Sequence, residues 1–244
     1  MATAALLSAG CLSTSVMDTA QSLPAGDRAV TSGFAGGLTN GNTLSYGHPG
    51  SPDSTHDAYP GYEYALEWMT RYSYGLGNGL QADLELTAPM PILGIGLGFQ
   101  LKWELPLRRR ERFALALTAG GGANFGGYGG GGQSIFVGMA GTDAGLIASF
   151  HAGRHFAIYA APRARMDVVY HRQNIGSDPA SATARGISYS GALGIMRGQA
   201  DQKDRFLEVV FLHSPQTLPE MDHGWRIMLG VGLRSQELTD FLPW

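Results

Sequence analysis

Seven histidines, one cysteine and a scatter of serines are what nucleophilic or metal chemistry would have to be built from in this chain of 244 residues. Ser149 and His151 lie two apart, so on a strand they share a face, as a nucleophile and its base do. Asp143 is the acid near them on the same stretch. His213 and Ser214 are adjacent, which on a strand points them to opposite faces, and His171 falls at the end of a patterned segment. None of these completes a triad, so no catalytic residue is assigned and an enzyme is not expected. His48, His56, Asp53 and Asp57 lie amid Gly and Pro at a spacing that matches no zinc-site class; a solvated loop is expected there, and no metal. The Gly-rich run 120–132 lacks the Lys-Ser/Thr of a phosphate loop and leads into no helical pattern. No cofactor is expected.

The bulk composition narrows the class. Glycine supplies 36 residues and charged residues only 15%, against about 25% in ordinary soluble domains. A net charge of −3 argues against nucleic acid as a partner. The single cysteine excludes a disulfide framework and a Cys-cluster zinc site. There is no run of 18 consecutive apolar residues, so a spanning helix is out.

Beyond Gly26 the dominant period is two. From Leu93 to Leu105 the odd positions are Leu93, Ile95, Leu97, Phe99, Leu101, Trp103 and Leu105, and the even ones Gly94, Gly96, Gly98, Gln100, Lys102 and Glu104. Only a strand sorts side chains this way, one face wholly apolar and the other small or charged. The pattern recurs over 62–74, 80–88, 155–171 and 225–234, and more weakly near 28–38, 112–125, 134–150, 185–198 and 205–214. Ten strands are predicted. Several reach the ~9–11 residues that a tilted membrane-crossing strand needs.

The connections alternate in length. Tight ones are read at 75–79, 106–111, 152–154 and 199–204, and longer ones at 39–60, 126–133, 172–184 and 214–223, with Pro89-Met90-Pro91 the short member of the long set. Long loops at one end and tight turns at the other are the layout of a transmembrane barrel. Arg108-Arg109-Arg110 is a basic turn expected on the periplasmic side, solvated or touching anionic headgroups.

Alternation alone does not say which face looks outward. Glycines sit on the charged face (Gly94, Gly96, Gly98, Gly120, Gly122, Gly230, Gly232), where they suit a crowded concave interior. Aromatic residues fall at the ends of the apolar face: Tyr62, Tyr64, Tyr170 and Trp225 toward the loops, Tyr72, Tyr74, Trp103 and Phe156 toward the turns. This is the disposition of two interfacial girdles. The apolar face is therefore expected to meet lipid. The lumen then receives Glu63, Glu67, Asp83, Glu85, Glu104, Asp143, Asp167 and Glu208, opposed by Arg71, Lys102, Arg163, Arg165, Arg226 and Arg234. These are expected to pair across a narrow bore.

The N-terminus carries a separate signal. The small residues Ser8-Ala9-Gly10 before Cys11 resemble the lipobox of bacterial lipoproteins, and Met17–Gly26 after it resembles the start of uncharacterised outer-membrane β-barrel lipoproteins of Gram-negative bacteria. The resemblance implies that residues 1–10 are signal-peptide-like, that Cys11 is lipidated, and that the anchor lies on the periplasmic side. Residues 13–23 predict a short helix, capped by Ser13 or Ser15 and stopped by Pro24-Ala25-Gly26-Asp27, within a linker over 11–27.

The expectation is an all-β chain: a ten-stranded antiparallel up-and-down transmembrane β-barrel over 28–244 behind a short lipoprotein-type segment. Its partners are outer-membrane lipids, and it stands as a monomer. Its role is structural or surface-interactive, through 39–60 and 172–184. A small-solute channel through the charged lumen and a soluble lipocalin-like binding barrel are the alternatives.

Overall fold

The computed structural model describes residues 15–40, 62–90, 93–107, 112–130, 133–153, 155–175, 178–198, 203–214 and 224–236. Among them, ten antiparallel strands run in chain order: β1 (Arg28–Asn40), β2 (Tyr62–Gly77), β3 (Leu80–Met90), β4 (Leu93–Glu104), β5 (Phe113–Gly130), β6 (Gln133–His151), β7 (Phe156–Ile175), β8 (Asp178–Gly198), β9 (Asp204–Ser214) and β10 (Gly224–Ser235). Each pairs with its neighbour in sequence, and β1 also pairs with β10, Phe34 opposite Val231, so the sheet closes on itself. Closure satisfies the backbone groups that an open edge would leave bare, which is the condition for crossing lipid with strands. At the turn between β2 and β3, Gly77, Asn78 and Gly79 all take positive φ (91°, 52° and 75°), a conformation cheap for Gly and tolerated by Asn.

The two faces divide as the period of two requires. Ile95 is 65% exposed and Leu97 57%, whereas Lys102 on the same strand is fully buried. Phe34, Leu84, Phe125, Ile158, Leu193, Val209 and Leu229 likewise project outward on the other strands. A continuous apolar belt of this extent on the convex surface is the signature of a transmembrane barrel, and it reverses the arrangement of a soluble carrier barrel.

Two of the long connections are not loops. β5 and β6 run to Gly130 and from Gln133, and β7 and β8 run to Ile175 and from Asp178, so 126–133 and 172–184 are mostly strand. Strands β5 to β8 have 18 to 21 residues, against 11 to 13 in β1, β3, β4, β9 and β10. With about 9–11 residues crossing lipid, the surplus rises past the membrane as a four-stranded wall. These residues lost their apolar alternation because they no longer face acyl chains, and Gly and Ser then read as loop. The first loop belongs to β1 at 39–40, and its remainder lies outside the described residues, as do Arg108 to Arg110.

The helix expected over 13–23 is not present among the described residues; the chain from 15 to 24 has no regular secondary structure, with a bend at Ala20. The N–H groups of Val16, Met17, Ala20, Ser22 and Leu23 go to side chains of the barrel wall, and that of Thr19 to the Asp18 carboxylate beside it.

Candidate functional site: a lumen occupied by the chain's own N-terminal segment

Residues 15–20 lie inside the barrel, each almost fully buried. The segment enters at the turn end, where Ser22 donates its N–H to Glu104 Oε2 at 2.8 Å and its hydroxyl to the Gly79 carbonyl at 2.8 Å. Beside it, the Leu23 N–H donates to Gln81 Oε1 at 3.1 Å. Deeper in, the Ala20 N–H donates to Ser149 Oγ at 3.2 Å. At its far end the Val16 and Met17 N–H groups reach the Glu208 carboxylate at 3.0 and 2.9 Å, and the Ser15 hydroxyl donates to the same group. Tyr159 completes that carboxylate, its hydroxyl donating to Glu208 Oε2 at 2.7 Å.

Asp18 is the electrostatic centre of the segment. Lys102 Nζ donates to its Oδ2 at 2.7 Å, and Arg234 Nη1 to its Oδ1 at 2.8 Å. Lys102 also donates to the Thr19 and Gln21 carbonyls, at 3.1 and 3.0 Å. Burial pushes the Asp18 carboxyl up, but Lys102, Arg234 and Arg71 together outweigh that and hold it below the usual carboxylate range. Arg71 donates to the Val16 carbonyl at 2.7 Å while holding Glu85 at 2.7 Å.

The apolar part of the segment is seated as firmly. Met17 has a φ of 38°, and its side chain lies against Gly33 of β1 and Gly230 and Gly232 of β10; a Cβ at Gly33 or Gly232 would overlap its sulfur. Val16 and Met17 join Met69, Ile147, Met196, Phe206, Val210 and Met228 in one buried cluster. The lumen is thus not purely ionic: its turn-side half has an apolar core, completed from within by the N-terminal segment.

Of the charges predicted for the lumen, several do meet. Arg71 pairs with Glu85, Arg165 with Asp167 at 2.7 Å, and Arg163 with Asp143 at 3.9 Å. Glu67 acts electrostatically on Arg226. Lys102, Glu104 and Glu208 do not close on other wall charges as expected; they hold the N-terminal segment. Arg234 bridges Asp18 and Asp204, the latter at 3.0 Å, with its guanidinium 5.3 Å from the centre of the Phe206 ring. Asp83 accepts from Gln81 at 2.8 Å. The side chains of Glu63, Tyr62 and Tyr64, and Cys11 itself, lie outside the described residues. Tyr72, Tyr74, Trp103, Phe156 and Tyr170 are exposed on the outer face, and Trp225 is half-buried.

Ser149 Oγ is 3.1 Å from His151 Nε2, on the face that their two-residue spacing predicts. Ser149 is buried beneath the segment and already accepts the Ala20 N–H, so no substrate carbonyl has access to it. The arrangement holds a peptide segment inside the barrel.

No family model and no curated protein matches the chain. Solved structures resemble it in fold. The outer membrane protease OmpT from Escherichia coli aligns over 91% of this chain and 99% of its own, at 10% identity and a TM-score of 0.48. The translocator domain of the autotransporter NalP from Neisseria meningitidis aligns over 87% and 89%, at 9% identity and 0.49. Neisserial surface protein A aligns over 86% and 97%, at 10% identity and 0.43.

Proposed function

We propose that the chain is an integral outer-membrane barrel of a Gram-negative bacterium that is closed by its own N-terminal segment and acts as a non-enzymatic structural or surface-interaction protein. The observation that carries the closure is the fastening of residues 15–23 to β1, β2, β3, β4, β6, β9 and β10 from inside the bore. The membrane location follows from the apolar belt and the long strands. What faces the outside is then the wall of β5 to β8 above the lipid. Two measurements on one detergent extract test this reading: heat-modifiable gel mobility for the closed barrel, and planar-bilayer conductance for the bore. An extract with native mobility and no steady conductance supports it. A steady ohmic current from the unaltered chain would favour the small-solute channel instead.

Lipidation of Cys11 on the periplasmic side, which the lipobox-like residues Ser8-Ala9-Gly10 before it support, is a second proposal. The intact mass of the membrane-extracted protein decides whether Cys11 carries acyl chains.

A further inference from the structure

Strand β8 is paired along its whole length on one side, from Asp178 opposite Ile175 to Arg197 opposite Phe156 of β7. On its other side the register with β9 begins only at Tyr189, opposite His213. Of its 21 residues, ten face a partner in β9 and eleven, Asp178 to Ser188, do not. Among the described residues this stretch therefore has a strand on one side alone. At roughly 3.3 Å per residue its open edge is about 36 Å long. The far side of the same wall shows nothing comparable, since β5 meets β4 up to Gly127 and leaves three residues, Tyr128 to Gly130. Backbone groups of an antiparallel strand turn alternately to its two neighbours, so about half of those on this edge point away from β7.

The sequence accounts for where β9 stops. Pro215 follows Ser214 directly, and Pro219 comes four residues later. A β9 continued in register would set them opposite Ile187 and Thr183, where a proline brings no N–H to the ladder. The edge also leaves the lipid. Ile187, Tyr189, Leu193 and Ile195 are the exposed apolar residues of the β8 outer face, and above them Arg185, Thr183 and Ser181 are exposed instead. Arg172 of β7 is exposed on that face opposite Ser181. Among the side chains described on the outer face of β7 and β8 above Ile187, the charged ones are thus two arginines. A second copy in the same membrane does not fit the edge. Barrel strands tilt by about 35–45°, so two β8 edges related by a two-fold along the membrane normal would cross at roughly 70–90°.

We propose that the β8 edge from Asp178 to Ser188 binds an extended acidic segment of another protein outside the cell. The segment adds to the wall as a further strand. Its backbone meets the unpaired groups of the edge, and its carboxylates lie on the outer face beside Arg185, with Arg172 one strand further in. The inference rests on the outward-facing wall proposed above and gives that surface a mode of contact and a class of partner.

Fluorescence anisotropy of labelled octapeptides tests it, with the full chain in detergent micelles. An octapeptide alternating Glu and Val binds saturably, and one alternating Lys and Val binds several-fold more weakly. Citrate, which carries carboxylates but forms no strand, competes little at equal carboxylate concentration. Arg185→Glu changes an exposed side chain, keeps the parent Tm and reverses the preference between the two peptides. Thr183→Pro and Ala184→Pro divide the backbone donors: one loses an N–H that faces the edge, the other an N–H that faces β7. The edge-facing variant folds with nearly the parent Tm and no longer binds the Glu-Val peptide. An unchanged preference in Arg185→Glu overturns the proposal, as do equal competition by citrate and full binding by both proline variants. Absence of peptide binding by a chain with native heat-modifiable mobility overturns this inference alone. A chain that stays in solution without detergent overturns the membrane location and the outward-facing wall with it.

Discussion

Lys102 Nζ and Asp18 Oδ2 stand 2.7 Å apart with both side chains withdrawn from solvent, joining the fourth strand to a segment that precedes the first. Arg234 holds the other oxygen of the same carboxylate. Removing the acid leaves the buried Lys102 ammonium without its carboxylate and Arg234 with Asp204 alone. Asp18→Ala is expected to cost about 3–5 kcal/mol, the range for breaking one side of a buried charge pair. Urea unfolding followed by tryptophan fluorescence measures it. The same variant is expected to pass current in planar bilayers, because the segment has lost its central fastening.

The fastening should also depend on pH. The Asp18 carboxyl is held below its ordinary value in the folded chain by Lys102, Arg234 and Arg71, acting against the upward push of burial. A depressed folded pKa contributes stability that is fully present above the unfolded value of about 3.9. That contribution is lost as pH falls through the folded value. The bore is therefore expected to stay shut from pH 7 down to about 5 and to begin conducting only below about 4. Stepwise acidification of a bilayer recording checks this; opening near pH 6 would assign control to a histidine instead.

Met17 and the lumen glycines offer a complementary pair. A methyl group at Gly232 would overlap the Met17 sulfur, and the next nearest atoms, the Ser32 carbonyl oxygen and Met17 Cγ, lie at 3.3 and 3.4 Å. Gly232→Ala is expected to destabilise by about 1–3 kcal/mol, the usual cost of overfilling a packed site. Met17→Ala costs about 2–5 kcal/mol by leaving a cavity. The double variant is expected to recover part of the sum, since the new methyl occupies space that the thioether has vacated. A double-mutant cycle from chemical denaturation shows the coupling directly. Strict additivity of the two losses would mean that Met17 is not in that socket.

Leu97 and Gln100 report on which face meets lipid. Leu97 is exposed on the outside of β4, and Gln100 is buried inside the same strand. Leu97→Arg is expected to cost about 2–4 kcal/mol in a bilayer if it lies near the midplane. Gln100→Arg points inward, opposite Asp83, and is expected to cost less. Refolding titrations into lipid vesicles compare them, and equal costs would contradict the assignment of faces.

The barrel was legible in the chain because its cause is local. A period of two in Leu93–Leu105 allows only one sorting of side chains, and both strand count and facing follow from repeating it. The N-terminal segment was not legible, because it has no period. It is irregular, and N–H groups along it are met by Glu208, Ser149, Gln81 and Glu104, which come from four different strands. Asp18 looked like a linker acid because nothing near it in sequence explains it. One trace was present: Gly33, Gly230 and Gly232 place three absent side chains side by side on the lumen face of adjoining strands, a hollow that some other part of the molecule had to fill. The hairpins at 126–133 and 172–184 were hidden for a different reason, since strands standing in water carry no lipid-facing alternation.

The socket for Met17 has a bearing on how the protein is built. Its walls come from the first strand and the last, and the Asp18 to Arg234 contact joins positions 216 residues apart. A chain still missing its C-terminal strand has half a socket and lacks one of the two cations. Residues 17 and 18 must therefore wait for β10 before they can dock fully. Docking then reports completion: a barrel that is stitched shut in register gains its inner fastening, and one that is misthreaded at the seam remains open to water.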